Sequence, residues 1–249
     1  MEKQLEEEIH RDPHRAEGAA EKSAGGAVGL AIASVLVALL SAMFFALLAR
    51  ELSLLFQFDL AGLTFAQQLE SPGIDLLMHA LTWLGSAVGL GLQLALVTWL
   101  LMKQGQISWR RELAIVLAAL VGGVLLNQLL KFNFERTRPT IFPGPYELTS
   151  FSFPSGHAMV STCFYGALAV VAARRLSRMW LRLAVVVAAA LLVAGISFSR
   201  VYFAVHYPTD VIAGMIAGLA WLFSAVLSVR TLHFYVRWRL AKSRRSDIQ

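Results

Sequence analysis

Two histidines and an aspartate have the residue types and spacing for acid–base or nucleophilic chemistry. His206 and Asp210 are four residues apart with Pro208 between them. Because proline is favoured at the first helical position, a helix is predicted to begin near Pro208, which puts Asp210 in its first turn and within reach of His206. A carboxylate bonded to one ring nitrogen fixes the tautomer and leaves the other nitrogen as a nucleophile or a base. His157 remains as a general acid.

A second group of residues is suited to holding an anion. Lys131, Arg138 and Arg200 are three fixed cations, and the planar fork of arginine matches phosphate oxygens. Ser155 and Gly156 precede a predicted helix start, where unpaired backbone N–H groups and the helix dipole attract negative charge. Nucleophile, acid and anion clamp together predict phosphoryl transfer through a phosphorylated enzyme. Since the cations supply the electrostatics, we expect no metal and no other cofactor.

These residues have to be positioned by a scaffold, and the composition indicates a membrane one. The 249 residues are 57% hydrophobic and 15% charged, whereas soluble chains are about 45–50% apolar and about 25% charged. One cysteine and 18 glycines exclude a disulfide scaffold and a collagen-like chain. Six apolar runs approach the roughly 20 residues that a spanning helix needs. They are residues 24–48, 76–102, 112–130, 157–173, 181–198 and 211–229.

Lysine and arginine between these runs indicate the orientation, because positively charged loops stay cytoplasmic. The loops after the second and fourth runs are basic, as are both ends of the chain. The predicted fold is therefore all-α: a polytopic membrane protein with six transmembrane helices and cytoplasmic N and C termini. In this arrangement the predicted site residues all lie at the outer ends of their helices. Charges confined to loops and ends argue against a nucleic acid partner.

The chain is predicted to hold one membrane domain between two polar ends. Residues 1–23 form a cytoplasmic head, residues 24–233 the six-helix domain and residues 234–249 a basic cytoplasmic tail. Segment 51–73 mixes phenylalanines with polar residues, and two interpretations stay open. It is either an amphipathic segment on the outer surface or an ordinary loop with packed aromatic rings.

Three more residues near the candidate site are given specific expectations. Glu135 and Arg136 are expected to pair locally or to contact lipid headgroups. Asn127 lies one turn before Lys131 and either supports the site or forms a hydrogen bond between helices. Cys163 falls inside the fourth run, where it is expected to act as a small apolar residue.

Three short motifs occur in order between residues 131 and 210. KFNFERTRP at 131–139 fits Lys-x6-Arg-Pro, PSGH at 154–157 fits Pro-Ser-Gly-His, and SRVYFAVHYPTD at 199–210 fits Ser-Arg-x5-His-x3-Asp. Together they resemble the type-2 phosphatidic acid phosphatase family, also called lipid phosphate phosphatases, which shares its site with vanadium haloperoxidases. The six-run layout extends the resemblance over nearly the whole chain.

The resemblance implies a role for each motif residue. His206 would attack phosphorus and form a phosphohistidine, Asp210 would orient it, and His157 would protonate the leaving oxygen. The phosphate oxygens would be held by Lys131, Arg138, Ser155, the Gly156 N–H and Arg200. Family substrates are membrane lipids with a terminal phosphate or diphosphate: undecaprenyl diphosphate, phosphatidylglycerol phosphate, phosphatidic acid or lipid A. The compact layout favours a bacterial plasma (inner) membrane, with the active site facing the periplasm or cell exterior.

Two other functions stay open on the sequence alone. A lipid phosphotransferase would use identical motifs but pass the phosphate to another lipid, such as lipid A, instead of water. A transporter or lipid-binding membrane protein would line a path at the midplane with its charges, whereas the charges here cluster at one end. The sequence sets neither the lipid headgroup and chain nor the oligomeric state.

Overall fold

The computed structural model describes residues 54–104, 109–142 and 150–246, together with isolated positions between 29 and 51. Within 54–246, the described residues form helices and no strands. The helices are α1 (Phe56–Gln68), α2 (Pro72–Leu84), α3 (Ala87–Lys103), α4 (Trp109–Phe134), α5 (Gly156–Arg175), α6 (Met179–Tyr202) and α7 (Pro208–Ser246). The prediction of an all-α fold is confirmed for this part of the chain.

Four of these helices are long and apolar enough to cross a membrane, namely α4, α5, α6 and α7 as far as Leu232. Helices α2 and α3 pass the same test as a pair bent by 60°, which gives up to five spans among the described residues. The first predicted run, 24–48, falls outside the continuously described ranges, as does the polar head, 1–23. The count of six and the side of each terminus therefore stay predictions. Helix α7 continues through much of the predicted tail.

The second predicted run, 76–102, is two helices instead of one, and the break falls at Gly85 and Ser86. A Cβ atom at Gly85 would lie 2.4 Å from Ile196 Cγ2, so glycine lets the end of α2 approach α6 closely. Ser86 caps α3, because its Oγ accepts a hydrogen bond from the backbone N–H of Gly89 at 3.0 Å.

Backbone polar groups at this break are satisfied by side chains. The carbonyl of Leu84 accepts one hydrogen bond from Gln93 Nε2 at 3.1 Å and another from Tyr165 Oη at 3.1 Å. Tyr165 also donates to Gln93 Oε1 at 2.8 Å. Since a bilayer core offers no water to a broken helix, these polar partners from α3 and α5 make the bend tolerable.

Helix α5 lies at the centre of the bundle and packs against α4, α6 and α7. A Cβ atom at Gly214 would lie 2.6 Å from the carbonyl oxygen of Ser155, so α7 passes directly over the start of α5. Cys163 is buried and free, as the sequence predicts. The main core is apolar and includes Ile115, Val116, Phe164 and Ile196. Close packing thus sets the first turns of α5 and α7 side by side.

The outward faces of the helices are apolar as well. Large exposed leucines lie on several helices: Leu92 on α3, Leu125 and Leu129 on α4, and Leu183 and Leu191 on α6. A soluble protein rarely exposes so continuous an apolar surface, whereas a bilayer accommodates it. Composition and fold therefore agree on a membrane protein.

Segment 51–73 contains helix α1, so it is not a loop with packed aromatic rings. Phe56, Phe58 and Phe65 are exposed, while Asp59 and Leu63 are buried. Phe58 and Phe65, seven residues apart, therefore share an outward face of α1, while Asp59 directs a carboxylate towards the bundle.

Candidate active site

The predicted site residues meet at one end of the bundle, because successive helices run in opposite directions. Lys131 and Arg200 lie near the C-terminal ends of α4 and α6, while His157 and Asp210 lie in the first turns of α5 and α7. His206 lies in the short connection before α7. Stretches of chain up to 79 residues apart (210 − 131) are thus brought to one place.

His206 and Asp210 form an imidazole–carboxylate pair that also includes Ser152. His206 Nδ1 lies 3.6 Å from Asp210 Oδ2 and 3.3 Å from Ser152 Oγ. The Ser152 hydroxyl donates to Asp210 Oδ2 at 2.5 Å, and the backbone N–H of Tyr207 donates to the same oxygen at 2.9 Å. All three side chains are buried. Nδ1 of His206 is therefore held on the carboxylate side, as the four-residue spacing predicts.

The other nitrogen of His206 faces the cations. His206 Nε2 lies 3.3 Å from Arg138 Nη1. When the proton is on Nδ1, the Nε2 lone pair points at this cationic side of the site. Burial lowers the pKa of His206 to about 4, and the hydrogen bond and charge of Asp210 oppose this shift without cancelling it. The imidazole is therefore neutral near pH 7, the state that a nucleophile needs.

Arg138 and Lys131 both contact the segment that precedes α5. Arg138 donates to the carbonyl oxygens of Ser150 at 2.8 Å and Val205 at 2.6 Å. Lys131 Nζ donates to the carbonyl oxygen of Phe151 at 2.7 Å. Burial lowers the pKa of Arg138 relative to an exposed arginine, and Asp210 partly offsets this. The two cations are thus fixed in position beside His206.

Arg200 and His157 are both anchored by Thr82 of α2. Arg200 Nη1 donates to Thr82 Oγ1, and His157 makes a hydrogen bond to the Thr82 backbone. Arg200 is buried, and its charge and that of Lys131 reach His157. The bent helix pair therefore contributes a residue to the site, although Thr82 carries no sequence signal among its apolar neighbours.

The start of α5 presents the Ser155–Gly156 pair. The Ser155 backbone N–H donates to the Asp210 carbonyl oxygen at 3.0 Å, while its buried hydroxyl has no hydrogen-bond partner among the described residues. A Cβ atom at Gly156 would lie 3.1 Å from Asn127 Oδ1. Asn127 Nδ2 donates to the Pro154 carbonyl oxygen at 3.3 Å, so Asn127 supports this motif directly. An unpaired hydroxyl at a helix N-terminus suits an anion.

Arg136 has a different role from the expected one. Its guanidinium pairs with two carboxylates other than that of Glu135. Its Nη1 donates to Asp210 Oδ1 at 2.6 Å and its Nη2 to Asp59 Oδ2 at 2.7 Å. The reason is tertiary: Asp59 is 77 residues away along the chain and is brought in by α1. The two carboxylates raise the pKa of Arg136 above its ordinary value in spite of its burial.

Asp59 completes this ionic network from α1. It is fully buried and accepts hydrogen bonds from the backbone N–H of Thr209 at 2.9 Å and from Thr209 Oγ1 at 2.7 Å. The Arg136 guanidinium also lies 4.0 Å from the centre of the Tyr207 ring. Asp59 therefore fixes both Arg136 and the first turn of α7, and with it Asp210.

The site thus combines a neutral imidazole, an ionised partner, a second imidazole and a set of arginine and lysine side chains. Among the described residues, no three His, Cys, Asp or Glu side chains are grouped so that they could share a metal ion. Such an arrangement can bind a phosphate-like anion and direct one nitrogen at it. Fold and site together define a helical membrane protein whose histidine site has the side chains suited to an anion.

The chain belongs to the PAP2 superfamily, whose family model matches residues 112–234. Phosphatidylglycerophosphatase B of Bacillus subtilis (strain 168) is 34% identical over 158 residues, which are 62% of this chain and 75% of that protein. The family resemblance read from the three motifs is therefore confirmed.

Two further comparisons agree. Undecaprenyl-diphosphatase of Sulfolobus acidocaldarius is 34% identical over 113 residues, 44% of this chain and 48% of that protein. The crystal structure of a transmembrane PAP2-type phosphatidylglycerolphosphate phosphatase from Bacillus subtilis matches with a TM-score of 0.67 and 27% identity. That match covers 75% of this chain and 92% of the other.

Proposed function

We propose that this protein is an integral-membrane lipid phosphatase that removes a terminal phosphate or diphosphate through a phosphohistidine intermediate. The observation that supports this proposal most directly is the orientation of His206. Its Nδ1 atom faces Asp210 and Ser152, and its Nε2 atom lies 3.3 Å from Arg138. Membership of the PAP2 superfamily supports the same reaction class.

The proposed reaction has two displacements at phosphorus. The Nε2 lone pair of His206 forms the N–P bond while the P–O bond breaks, and the leaving oxygen takes its electron pair and a proton from His157. Water then attacks phosphorus, gives a proton to His157, and the N–P electrons return to Nε2. Asp210 balances the positive imidazole during both steps.

The phosphate oxygens are assigned to five groups at the same end of the bundle as His206. These groups are Lys131, Arg138, Arg200, the Ser155 hydroxyl and the Gly156 N–H. Because the charge of a phosphoryl group spreads over its equatorial oxygens, several fixed donors stabilise the transition state better than one. In this proposal the cations stabilise the negative charge of the transferred phosphoryl group, and no metal takes part.

The substrate is assigned to lipids whose phosphate lies at the membrane surface. The site is at one end of the spanning helices, where a headgroup lies, and the exposed leucines of the bundle face acyl chains. The names of two relatives give candidate substrates, phosphatidylglycerol phosphate and undecaprenyl diphosphate. The positive-inside distribution puts this end on the periplasmic or outer face of a bacterial plasma membrane.

Phosphate release by the purified full chain in detergent tests the proposal. The assay offers phosphatidylglycerol phosphate, undecaprenyl diphosphate and phosphatidic acid, each with EDTA present. We expect release from at least one lipid, and a loss of about 10³-fold or more in His206→Ala, as for other covalent nucleophiles. His79→Ala is the matched control, since it is a histidine outside the three motifs and its ring packs on Phe203. Full activity in His206→Ala, or loss in EDTA, would refute the mechanism.

The intermediate is tested with phosphate-labelled lipid and rapid quenching. We expect an acid-labile label on the wild-type protein and none on His206→Ala. An added acceptor lipid, such as a dephosphorylated lipid A, separates the two fates of the label. Appearance of the label in free phosphate supports a hydrolase, whereas its appearance in the acceptor lipid identifies a phosphotransferase.

A further inference from the structure

A second cavity runs from the middle of the bundle to the end opposite the candidate active site. Its volume is about 710 Å³, within the roughly 300–1,000 Å³ typical of ligand pockets. Helix α5 forms the floor and α6 and α7 form the sides, since both pack on α5 more than on each other. Small and apolar residues line most of it, including Ala169, Ala173, Val186, Ala190 and Leu219.

The cavity opens towards the lipid-facing surface of the bundle. Val186 and Leu219, on its two sides, are 49% and 58% exposed. These residues belong to the spanning parts of α6 and α7. An occupant therefore reaches the cavity sideways from the bilayer, and the apolar walls match an acyl chain.

Three arginines line this cavity: Arg174, Arg182 and Arg230. Nη2 of Arg174 is buried and has no hydrogen-bond partner among the described residues. The charges that act on Arg174 are mainly those of Arg230 and Arg111, with Glu112 as the opposing one. The positive charges near Arg174 therefore outnumber the negative ones.

The nearby carboxylate of Glu112 is shared with another arginine. Both oxygens of Glu112 are engaged by Arg175, through its Nε and Nη2 atoms. A buried guanidinium nitrogen without a partner is costly, so an anion that reaches it is bound favourably.

We propose that this cavity binds one anionic phospholipid of the surrounding membrane. Its phosphodiester contacts Arg174, Arg182 and Arg230, and one acyl chain lies along the small residues of α5. Basic pockets between transmembrane helices are known to select anionic headgroups in this way. A soluble anion would leave the long apolar part of the cavity unfilled. Among the described residues that line the cavity there is no histidine, so the lipid is proposed to be held and not hydrolysed.

The test measures lipid retention and needs no catalytic activity. The full chain is reconstituted in nanodiscs of phosphatidylcholine with or without phosphatidylglycerol, a diester without a terminal phosphate. Retained lipid is counted by native mass spectrometry. Wild type is expected to retain phosphatidylglycerol over phosphatidylcholine. The double variant Arg174→Gln/Arg182→Gln should lose about fivefold in affinity per arginine, hence about 25-fold.

Two further variants keep the test decisive. Arg110→Gln/Arg178→Gln removes the same charge from two exposed residues that do not line the cavity, and should retain the lipid. Ala190→Trp fills the cavity from an exposed position and should abolish retention, whether or not the arginine double variant folds. Equal retention of both lipids by wild type, equal losses in the two double variants, or full retention in Ala190→Trp would each overturn the proposal.

Discussion

The two ends of the bundle are both rich in arginine, but they use it differently. At the candidate active site, Arg136, Arg138 and Arg200 have guanidinium groups bonded to carboxylates, carbonyls or a threonine. At the opposite end Arg175 is paired with Glu112, but Arg182, bonded to the Leu176 carbonyl, and Arg230 are exposed, and Arg174 keeps an unpartnered nitrogen among the described residues. Fixed cations suit a reaction whose charge develops at one point, whereas loosely held ones suit topology and lipid headgroups.

The largest effect is expected from Asp210→Asn. The amide leaves the shape intact but removes the charge that holds His206 Nδ1, so the phosphate release rate should fall about 10⁴-fold, as in serine protease triads. Glu112→Gln is the matched control at the opposite end, where a buried carboxylate pairs with Arg175, far from His206. It should change the rate only a few-fold. Equal losses in the two variants would remove the distinction between the ends.

Arg136→Gln should give the largest loss of stability. It leaves two fully buried carboxylates, Asp59 and Asp210, without their shared cation. Breaking a buried pair costs about 3–5 kcal/mol. The midpoint of thermal unfolding in detergent measures it. Arg175→Gln breaks a single pair with Glu112, and its arginine is more exposed than Arg136, so the loss should be smaller than that of Arg136→Gln. A larger shift for Arg175→Gln than for Arg136→Gln would contradict the comparison.

Ser152→Ala should have an intermediate effect. The hydroxyl donates to Asp210 and lies 3.3 Å from His206 Nδ1, so its loss leaves the carboxylate less well held. Removing one hydrogen bond to a charged group costs about 1.5–3 kcal/mol, or about 10- to 150-fold in rate. Ser197→Ala is the control, because its buried hydroxyl has no partner among the described residues. No change in Ser152→Ala would show that His206 is oriented without it.

The smallest effect is expected in the pH dependence. In the proposed mechanism His206 reacts when neutral, and its pKa is lowered to about 4, so kcat/KM should be lost only as the pH falls through about 4. The ionisation of the phosphate substrate, near pH 6, is common to all variants. Asp210 raises the pKa of His206. In Asp210→Asn, the acid limb of the pH profile of kcat/KM should therefore move to still lower pH. An unchanged limb near pH 6.5 in both proteins would show an exposed histidine instead.

The sequence predicted the motif residues of the site, but it did not predict the residues that hold them in place. Residues of the three motifs lie at helix ends whose sides follow from alternating spans, so Lys131, His157 and His206 were expected together, and the structure brings them together. The partners that fix them come from distant positions. Asp59 and Thr82 lie in other helices, and no local pattern links them to Arg136 or Arg200.

The bend between α2 and α3 was missed for a similar reason. Hydropathy is continuous across it, and glycine in apolar runs is equally typical of close helix packing. The Gly85–Ser86 pair was the available signal, since such pairs often mark kinks and serine caps helices. The roles of Ser152 and Asn127 depend on how the segment before α5 folds back, which spacing alone does not determine.

The contacts made by α1 have a practical consequence for where a chain of this family can be truncated. The family model begins at residue 112, after both Asp59 and Thr82. A chain trimmed to those boundaries keeps every motif residue yet loses the anion opposite Arg136 and the hydroxyl that holds Arg200. It would contain all three motifs but lack the contacts that hold Arg136 and Arg200 in place. In such a trimmed chain Asp210 would remain as the carboxylate partner of Arg136.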